Sequence, residues 1–159
     1  MGVAGSGKTT VAKLFAQKSG ATFYEGDDFH PPENVAKMRA GIPLTDVDRE
    51  QWLQTLRKIV VGALAKKEFS VLTCSALKAK YRDELAGGDF RVKFVHLTGP
   101  AALIEERLKA RRGHFMPPAL LASQLAILEV PSNALVISCV PSPEAIVGDL
   151  LQVFGIAAA

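Results

Sequence analysis

Short apolar runs alternate along the chain with longer stretches in which hydrophobic residues recur every three or four positions. Val11, Leu14 and Phe15 show this helical spacing, and Gly20 follows as a typical helix end. The apolar runs predict strands over residues 21–25, 69–74, 91–97 and 135–140. Because these strands alternate with helices, the pattern predicts a parallel sheet with helices on both faces.

The other helices follow from the same periodicity and from residues that commonly begin helices. Thr45-Asp46-Val47-Asp48 resembles a helix start and precedes a long amphipathic stretch. Shorter helices are predicted over residues 34–40, 100–112, 119–128 and 143–154. A chain of 159 residues without a repeat, a linker or a low-complexity tract predicts one domain over residues 1–159.

Composition narrows the class of protein. The chain is 48% hydrophobic and 22% charged, which is typical of a compact folded protein. Its net charge of +3 suits an anionic ligand better than nucleic acid. The sequence shows neither an apolar run long enough to span a bilayer nor a signal peptide, so we expect a cytoplasmic protein. Cys74 and Cys139 fall in predicted strands and are expected to be buried core residues.

The most specific chemical signal stands at the start of the chain. Gly2 to Thr9 fit G-x-x-x-x-G-K-[ST], the phosphate-binding loop. Its glycines let backbone amides approach a polyphosphate, Lys8 can reach the β- and γ-phosphates, and the Thr9 hydroxyl can take a Mg²⁺ position. The alternative is a glycine-rich turn before an ordinary helix. The predicted nucleotide-binding residues are Gly2, Val3, Ala4, Gly5, Ser6, Gly7, Lys8, Thr9 and Thr10.

A phosphate-binding loop normally follows a buried strand, and here only Met1 precedes it. A strand of about five residues would be expected upstream. We therefore expect either that this first strand is missing from the chain or that another element fills its place. In a parallel sheet the first strand is usually central, so its absence would matter for stability.

Two acidic residues and a histidine follow the first predicted strand, at the sheet edge where ligands bind in open α/β folds. Asp27 could accept a proton from an attacking hydroxyl or hold Mg²⁺ through water, and Asp28 competes for that role. Alternatively, both carboxylates cap the turn. His30 is held rigid by the two prolines that follow it and could bind a polyhydroxylated substrate, or it is an ordinary loop histidine.

Five basic residues are candidates for binding anions. Arg49, Lys78 and Arg82 are dispersed, although a helix would place Lys78 and Arg82 on one face. Arg107 and Arg111 are also four apart and precede a glycine-containing loop, as expected of a lid over residues 107–118 that closes on phosphates. The alternatives are solvated surface cations and a basic helix end.

Five blocks of sequence extend over nearly the whole chain and are far more specific together than the loop alone. They are MGVAGSGKTT, GDDFHPPENVAKM, GIPLTDVDREQWL, CSALKAKYRD and RLKARRGHFMPPALLASQ. In this order they resemble the gluconokinases, small P-loop kinases related in architecture to shikimate and nucleoside monophosphate kinases. The resemblance implies a three-layer α/β/α fold around a parallel sheet of about five strands, with a helical lid.

The resemblance also implies an activity, which is ATP-dependent phosphorylation of D-gluconate at its 6-hydroxyl. The loop would hold ATP and Mg²⁺, with Thr9 at the metal. Lys8, Asp27, Arg107 and Arg111 would be catalytic, and gluconate would contact Asp27, His30, Arg49, Lys78 and Arg82. ATP and gluconate are the expected partners, with neither nucleic acid nor a membrane, and a homodimer is left open.

The chain departs from the family pattern after the lid and at its last strand. The family usually reads Q-F-E-x-L-E where this chain has Gln124-Leu125-Ala126-Ile127-Leu128-Glu129, and an aspartate is common where it has Ser138-Cys139-Val140-Pro141. Two other functions stay open. One is a P-loop kinase for shikimate or a nucleoside monophosphate, and the other is a truncated, non-catalytic nucleotide-binding module.

Overall fold

Two parallel strand pairs form the sheet within residues 1–110 and 120–157, the part of the chain that the computed structural model describes. Strand β1 (Thr22–Glu25) pairs with β2 (Ser70–Thr73), and β3 (Val95–Thr98) pairs with β4 (Leu135–Ser138). The four predicted strands are therefore confirmed, each shorter than the apolar run that predicted it. Cys74 and Cys139 are buried as expected, but each lies one residue beyond its strand.

The backbone of Met1 and Gly2 lies between the two pairs. The Met1 amino group donates to the Val95 carbonyl, and the Met1 carbonyl accepts from the Leu97 amide at 3.0 Å. The Gly2 amide donates to the carbonyl of Ser75, just beyond β2, at 3.2 Å. A side chain at Gly2 is excluded because its Cβ would lie 2.5 Å from the Leu97 oxygen. These two residues thus stand where the first strand was expected.

Seven α-helices lie within the described residues. They are α1 (Lys8–Ser19), α2 (Pro32–Arg39), α3 (Asp46–Ala65), α4 (Ala79–Ala86), α5 (Ala101–Ala110), α6 (Leu120–Ile127) and α7 (Pro143–Phe154). A short 3-10 helix (Gly26–Phe29) follows β1 directly. The predicted elements occur in the predicted order, with the 3-10 helix and α4 in addition. The predicted helices at residues 100–112 and 119–128 extend partly outside the described residues. None of the seven combines the length and apolarity that crossing a membrane requires.

Helices cover both faces of the sheet, as neighbouring residues of β2 demonstrate. Val71 packs into a cluster formed mainly by α1 and α7, whereas Leu72 packs into one formed mainly by α3 and α4. Successive residues of a strand point to opposite faces, so the two clusters are separate layers. The three-layer α/β/α architecture expected from the alternation of elements is therefore present.

A third cluster lies beneath the phosphate-binding loop. It joins the loop to α5, α6 and the end of β4, through Val3, Ala4, Leu77, Ile104, Leu108, Leu121 and Cys139. Gly5 has φ +82°, and an added Cβ would lie 2.7 Å from Leu108 Cγ. Glycine is required at this position both for its left-handed backbone and for the close approach of α5.

The start of α3 is stabilised by local hydrogen bonds and by one ion pair. The Thr45 hydroxyl accepts from the Asp48 amide at 3.2 Å, and the Asp48 carboxylate accepts from the Thr45 amide at 2.8 Å. Together they form a capping box. Lys37 Nζ lies 2.6 Å from the same carboxylate and holds α2 against this end. This lysine, with the two bonds from Thr45, lowers the pKa of Asp48 to about 2.

We predict that Thr45→Ala lowers the free energy of unfolding by about 1 kcal/mol, because an amide of the first helical turn loses its acceptor. Chemical denaturation of both proteins would measure the difference. Thr55→Ala is the matched control, since the Thr55 hydroxyl donates to the Gln51 carbonyl inside α3 and caps nothing. It should change stability little. Equal losses in both variants would contradict a capping role.

Candidate active site

A cavity of about 420 Å³ opens beside the segments that follow β1 and β2. Its wall combines the phosphate-binding loop, the 3-10 helix after β1, and parts of α2, α3, α5 and α6. The residues that line it are Ala4, Gly5, Gly7, Lys8, Thr9, Thr10, Asp27, His30, Met38, Pro43, Leu44, Arg49, Trp52, Ser75, Arg107, Leu120, Ser123, Gln124 and Ile127.

The phosphate-binding loop forms one side of this cavity. Gly7 has φ +91°, and a Cβ there would have nothing within 4 Å, so the backbone borders open space. Lys8 Nζ donates to the Val3 carbonyl at 2.9 Å and lines the cavity. An α-helix begins directly at Lys8, which places the positive end of its dipole at the same spot. The arrangement is suited to a polyphosphate.

Not every predicted loop residue reaches the cavity wall. Gly2 lies against β3, while Val3 and Ser6 are 3% and 1% exposed. The Ser6 hydroxyl is buried and has no hydrogen-bond partner among the described residues. The predicted loop residues on the wall are Ala4, Gly5, Gly7, Lys8, Thr9 and Thr10.

Gln124 is a site residue to which sequence reasoning assigned no role. It lies in α6, is 8% exposed, and its Oε1 accepts from the Ala4 amide at 2.7 Å across 120 residues of sequence. Two sequence signals could have found it, since Gln124 is a polar residue in the largely apolar α6 and ends the last of the five sequence blocks. The bond attaches the helix that follows the predicted lid to the phosphate-binding loop.

Asp27 also lines the cavity, and the neighbouring strand β2 determines the position of the residue before it. The Gly26 amide donates to Thr73 Oγ1 of β2 at 3.1 Å, and a Cβ at Gly26 would lie 2.0 Å from the Thr73 carbonyl. Only glycine can occupy that position without moving β2. Asp28 is exposed and does not line the cavity, so Asp27 is the carboxylate that the fold brings to the site.

His30 and Arg49 join Asp27 on the cavity wall, as predicted from the sequence. The His30 ring stacks on the Trp52 ring with centroids 4.2 Å apart. Burial lowers the pKa of His30 to about 4, with Asp27 opposing the shift and Arg49 adding to it. The imidazole is therefore neutral at pH 7.

Arg49 is buried in α3, yet its guanidinium reaches the wall. It donates to the Leu44 carbonyl and to the Thr45 carbonyl, the latter at 3.2 Å. Because these acceptors are neutral, their bonds orient the guanidinium and leave its charge uncancelled. Arg49 therefore presents an oriented positive charge to the cavity, close enough to His30 to help lower its pKa.

Lys78 and Arg82, also predicted to bind the substrate, do not line the cavity. Lys78 is the residue before α4 rather than part of it, so the expectation that both lie on one helix face is wrong. Arg82 is 6% exposed and donates to the carbonyls of Ala76 and Leu77 at 3.0 and 3.2 Å. Both cations are occupied in holding the segment before α4.

Asp46, the first residue of α3, is the partner of Lys78. Its carboxylate accepts from Lys78 at 2.8 Å, from Lys80 at 2.6 Å and from the Tyr81 hydroxyl. These bonds, led by the one from Lys78, hold the pKa of Asp46 well below its usual range. Burial and the bond to Asp46 raise the pKa of Tyr81 to about 12. The cluster ties the start of α3 to the start of α4.

Arg107 is the one of the two predicted lid arginines that the structure describes. It lines the cavity and donates from Nη1 to the Cys139 carbonyl, just beyond β4, at 2.9 Å. Arg111 and the remainder of the predicted lid after residue 110 lie outside the described residues.

The described residues offer no group of three or more His, Cys, Asp or Glu side chains that could hold a metal ion. A metal in this cavity would instead be held by the Thr9 hydroxyl, by phosphate oxygens and by water. That donor set is typical of Mg²⁺ bound with a nucleotide. The residues present therefore fit Mg²⁺ that arrives with its substrate.

Comparisons with known proteins agree with this geometry. The model of the AAA domain family matches residues 1–131. The chain is 45% identical to the gluconokinase of Gluconobacter oxydans (strain 621H), over 97% of this chain and 88% of that protein.

Two solved structures are similar over nearly the whole chain. An unliganded sugar kinase from Janibacter sp. HTCC2649 has a TM-score of 0.91 and 46% identity, covering 99% of this chain and 92% of that chain. A gluconokinase from Sinorhizobium meliloti 1021 has a TM-score of 0.83 and 42% identity, covering 96% and 87%. The fold and the resemblance seen in the sequence blocks are thus confirmed, and the chain belongs to the gluconokinase family.

Proposed function

We propose that this protein transfers the γ-phosphoryl group of ATP to the 6-hydroxyl of D-gluconate, producing ADP and 6-phospho-D-gluconate. One observation carries the proposal. A single cavity combines a phosphate-binding loop, the Asp27 carboxylate and the guanidinium groups of Arg49 and Arg107, in a chain of the gluconokinase family. Such a cavity can hold two anions side by side and bring their reacting oxygens together.

The loop side of the cavity is suited to ATP. Backbone amides from Gly5 to Thr9 would cradle the β- and γ-phosphates, and Lys8 would exchange its bond to the Val3 carbonyl for a phosphate oxygen. The Thr9 hydroxyl would hold Mg²⁺, which supplies positive charge to the phosphates when bound. These residues position the nucleotide and neutralise its charge, which is most of what phosphoryl transfer requires of a protein.

The part of the cavity wall formed by Asp27, His30 and Arg49 is suited to a sugar acid. Arg49 offers two parallel donors to a carboxylate, and the neutral His30 ring can hydrogen-bond a hydroxyl. Asp27 would accept the proton of the attacking hydroxyl or hold Mg²⁺ through water. Lys78 and Arg82 would contact gluconate only after leaving Asp46 and the carbonyls of Ala76 and Leu77. We therefore propose Asp27, His30 and Arg49 as the main contacts of the acceptor, D-gluconate.

The lid side closes the site in this proposal. Arg107, with Arg111 further along the predicted lid at residues 107–118, would stabilise charge on the transferring phosphoryl group. Closure would also exclude water, which would otherwise compete as the phosphoryl acceptor. We propose that the protein acts in the cytoplasm and that the chain forms one domain. A homodimer stays a prediction.

We expect ADP release from MgATP to depend on D-gluconate. A coupled assay with gluconate, shikimate or a nucleoside monophosphate as acceptor would measure it. ADP release with shikimate or with a nucleoside monophosphate, but not with gluconate, would identify that compound as the acceptor instead. Nucleotide binding without release in the presence of any acceptor would favour the non-catalytic binding module.

We predict that Lys8→Ala lowers kcat by at least about 100-fold, because the transferring phosphates lose their nearest cation. Steady-state kinetics would measure the loss, and circular dichroism would verify the fold. Lys13→Ala is the matched control, since Lys13 is exposed on the same helix and does not line the cavity. Near-normal turnover in Lys8→Ala would remove the loop from the mechanism.

We predict that Arg49→Ala raises the KM for gluconate by about tenfold or more and the KM for ATP much less, because a carboxylate loses a charged donor. Arg39→Ala, an exposed arginine at the end of α2, should change neither constant. Arg49→Lys should recover part of the loss, since lysine keeps the charge but lacks the two-pronged geometry. A larger effect on ATP would place Arg49 on the nucleotide side.

A further inference from the structure

Trp52 is the only tryptophan of the chain, and its indole contacts two separate parts of the acceptor side. Nε1 donates to the Gly26 carbonyl at 2.7 Å, across 26 residues of sequence. The indole ring also stacks on the His30 ring, with an interplanar angle of 13°. Trp52 is only 1% exposed, yet it borders the cavity.

The bond to Gly26 acts on the backbone of Asp27. The Gly26 carbonyl and the Asp27 amide belong to the same planar peptide unit. A hydrogen bond that holds this carbonyl therefore holds the peptide plane to which the Asp27 Cα is attached, and so constrains the position from which the Asp27 side chain departs. The Gly26 amide is held from the other side by Thr73 Oγ1 at 3.1 Å, so β2 and α3 together clamp the residue before the carboxylate.

The stack determines the plane of the His30 ring. His30 Nδ1 is buried and has no hydrogen-bond partner among the described residues, so no polar contact orients the ring through that atom. The charged groups that act on the imidazole are Asp27, from the 3-10 helix, and Arg49, one turn before Trp52 on α3. Burial and Arg49 keep the ring neutral, so it can offer an N–H to a hydroxyl at pH 7.

We infer that Trp52 is a positioning residue, whose single indole aligns the Asp27 backbone and the His30 ring toward one acceptor molecule. The inference rests on the proposed function for the identity of that acceptor. The inference goes beyond the proposed function because it assigns the alignment of Asp27 and His30 to a residue that need not touch either substrate. Arg49, which lies on the same helix three residues earlier, would be aligned by the same rigid element.

A role in the core alone does not account for these contacts. Leu53 and Leu56 are as buried as Trp52, at 2% and 0% exposure, and they pack in the same cluster. Phenylalanine would fill most of the same space, but it has no N–H to donate to Gly26. The indole therefore supplies a hydrogen bond that an apolar core residue could not.

The first test separates alignment from packing by kinetics with MgATP and gluconate. Trp52→Phe should lower kcat by about tenfold, because the Gly26 carbonyl loses its buried donor and Asp27 is aligned less well, and should leave the KM for ATP within about twofold. Leu53→Ala is the packing control and should lower the melting temperature at least as much while keeping kcat within about threefold. Unchanged kcat in Trp52→Phe, or an equal loss in Leu53→Ala, would overturn the inference.

The second test needs no activity and reads the stack directly. A stacked indole shifts the ring protons of His30 upfield in the proton NMR spectrum at pH 7. The chain has three histidines, so His30→Gln identifies the signal. The shift should diminish in Trp52→Phe and vanish in Trp52→Leu. A His30 signal that is unaffected by Trp52→Leu would overturn the inference. If the wild-type protein is inactive with gluconate, the proposed function is overturned, and the NMR spectrum still tests the alignment of His30 by Trp52.

Discussion

The backbone hydrogen bonds of Met1 and Gly2 are the contacts on which the rest of the site depends. They join β3 to the end of β2, and β2 and β3 each carry one of the outer strands. The phosphate-binding loop begins at the same residues, so it starts between β2 and β3. Since the segments after β1 and β2 end beside that loop, Asp27 and Ser75 come to the cavity that the loop borders.

Neutral acceptors hold the arginines of the cavity, and this matters for an anion-binding site. Arg49 donates to carbonyls before α3, and Arg107 donates to the Cys139 carbonyl. A carbonyl orients a guanidinium without cancelling its charge, so the charge stays available to an incoming anion. Lys78 is the contrasting case, because its ammonium lies 2.8 Å from the Asp46 carboxylate. A cation so paired contributes to joining α3 and α4 rather than to the field in the cavity.

Helix α3 concentrates several of these functions within its first two turns. Its capping box and the ion pair to Lys37 fix where the helix starts. That start determines the direction of Arg49 and, one turn later, of Trp52. A helix end that is held by both local and tertiary hydrogen bonds can position side chains more precisely than a loop can. The placement of Arg49 and Trp52 in the cavity wall therefore depends on contacts outside the cavity.

Local pattern alone predicted the order of strands and helices, the start of α3, the phosphate-binding loop and the candidates Asp27, His30, Arg49 and Arg107. The order of elements and the start of α3 are confirmed, because hydrophobic periodicity and helix caps are properties of neighbouring residues. The four candidates line the cavity, and their roles stay predictions. The contacts of Gln124 and Trp52, and the partners of Lys78 and Arg82, were decided by the tertiary structure. Gln124 meets Ala4 across 120 residues and Trp52 meets Gly26 across 26. Which donor finds which acceptor over such distances depends on how the layers pack, and no local pattern of residues records that.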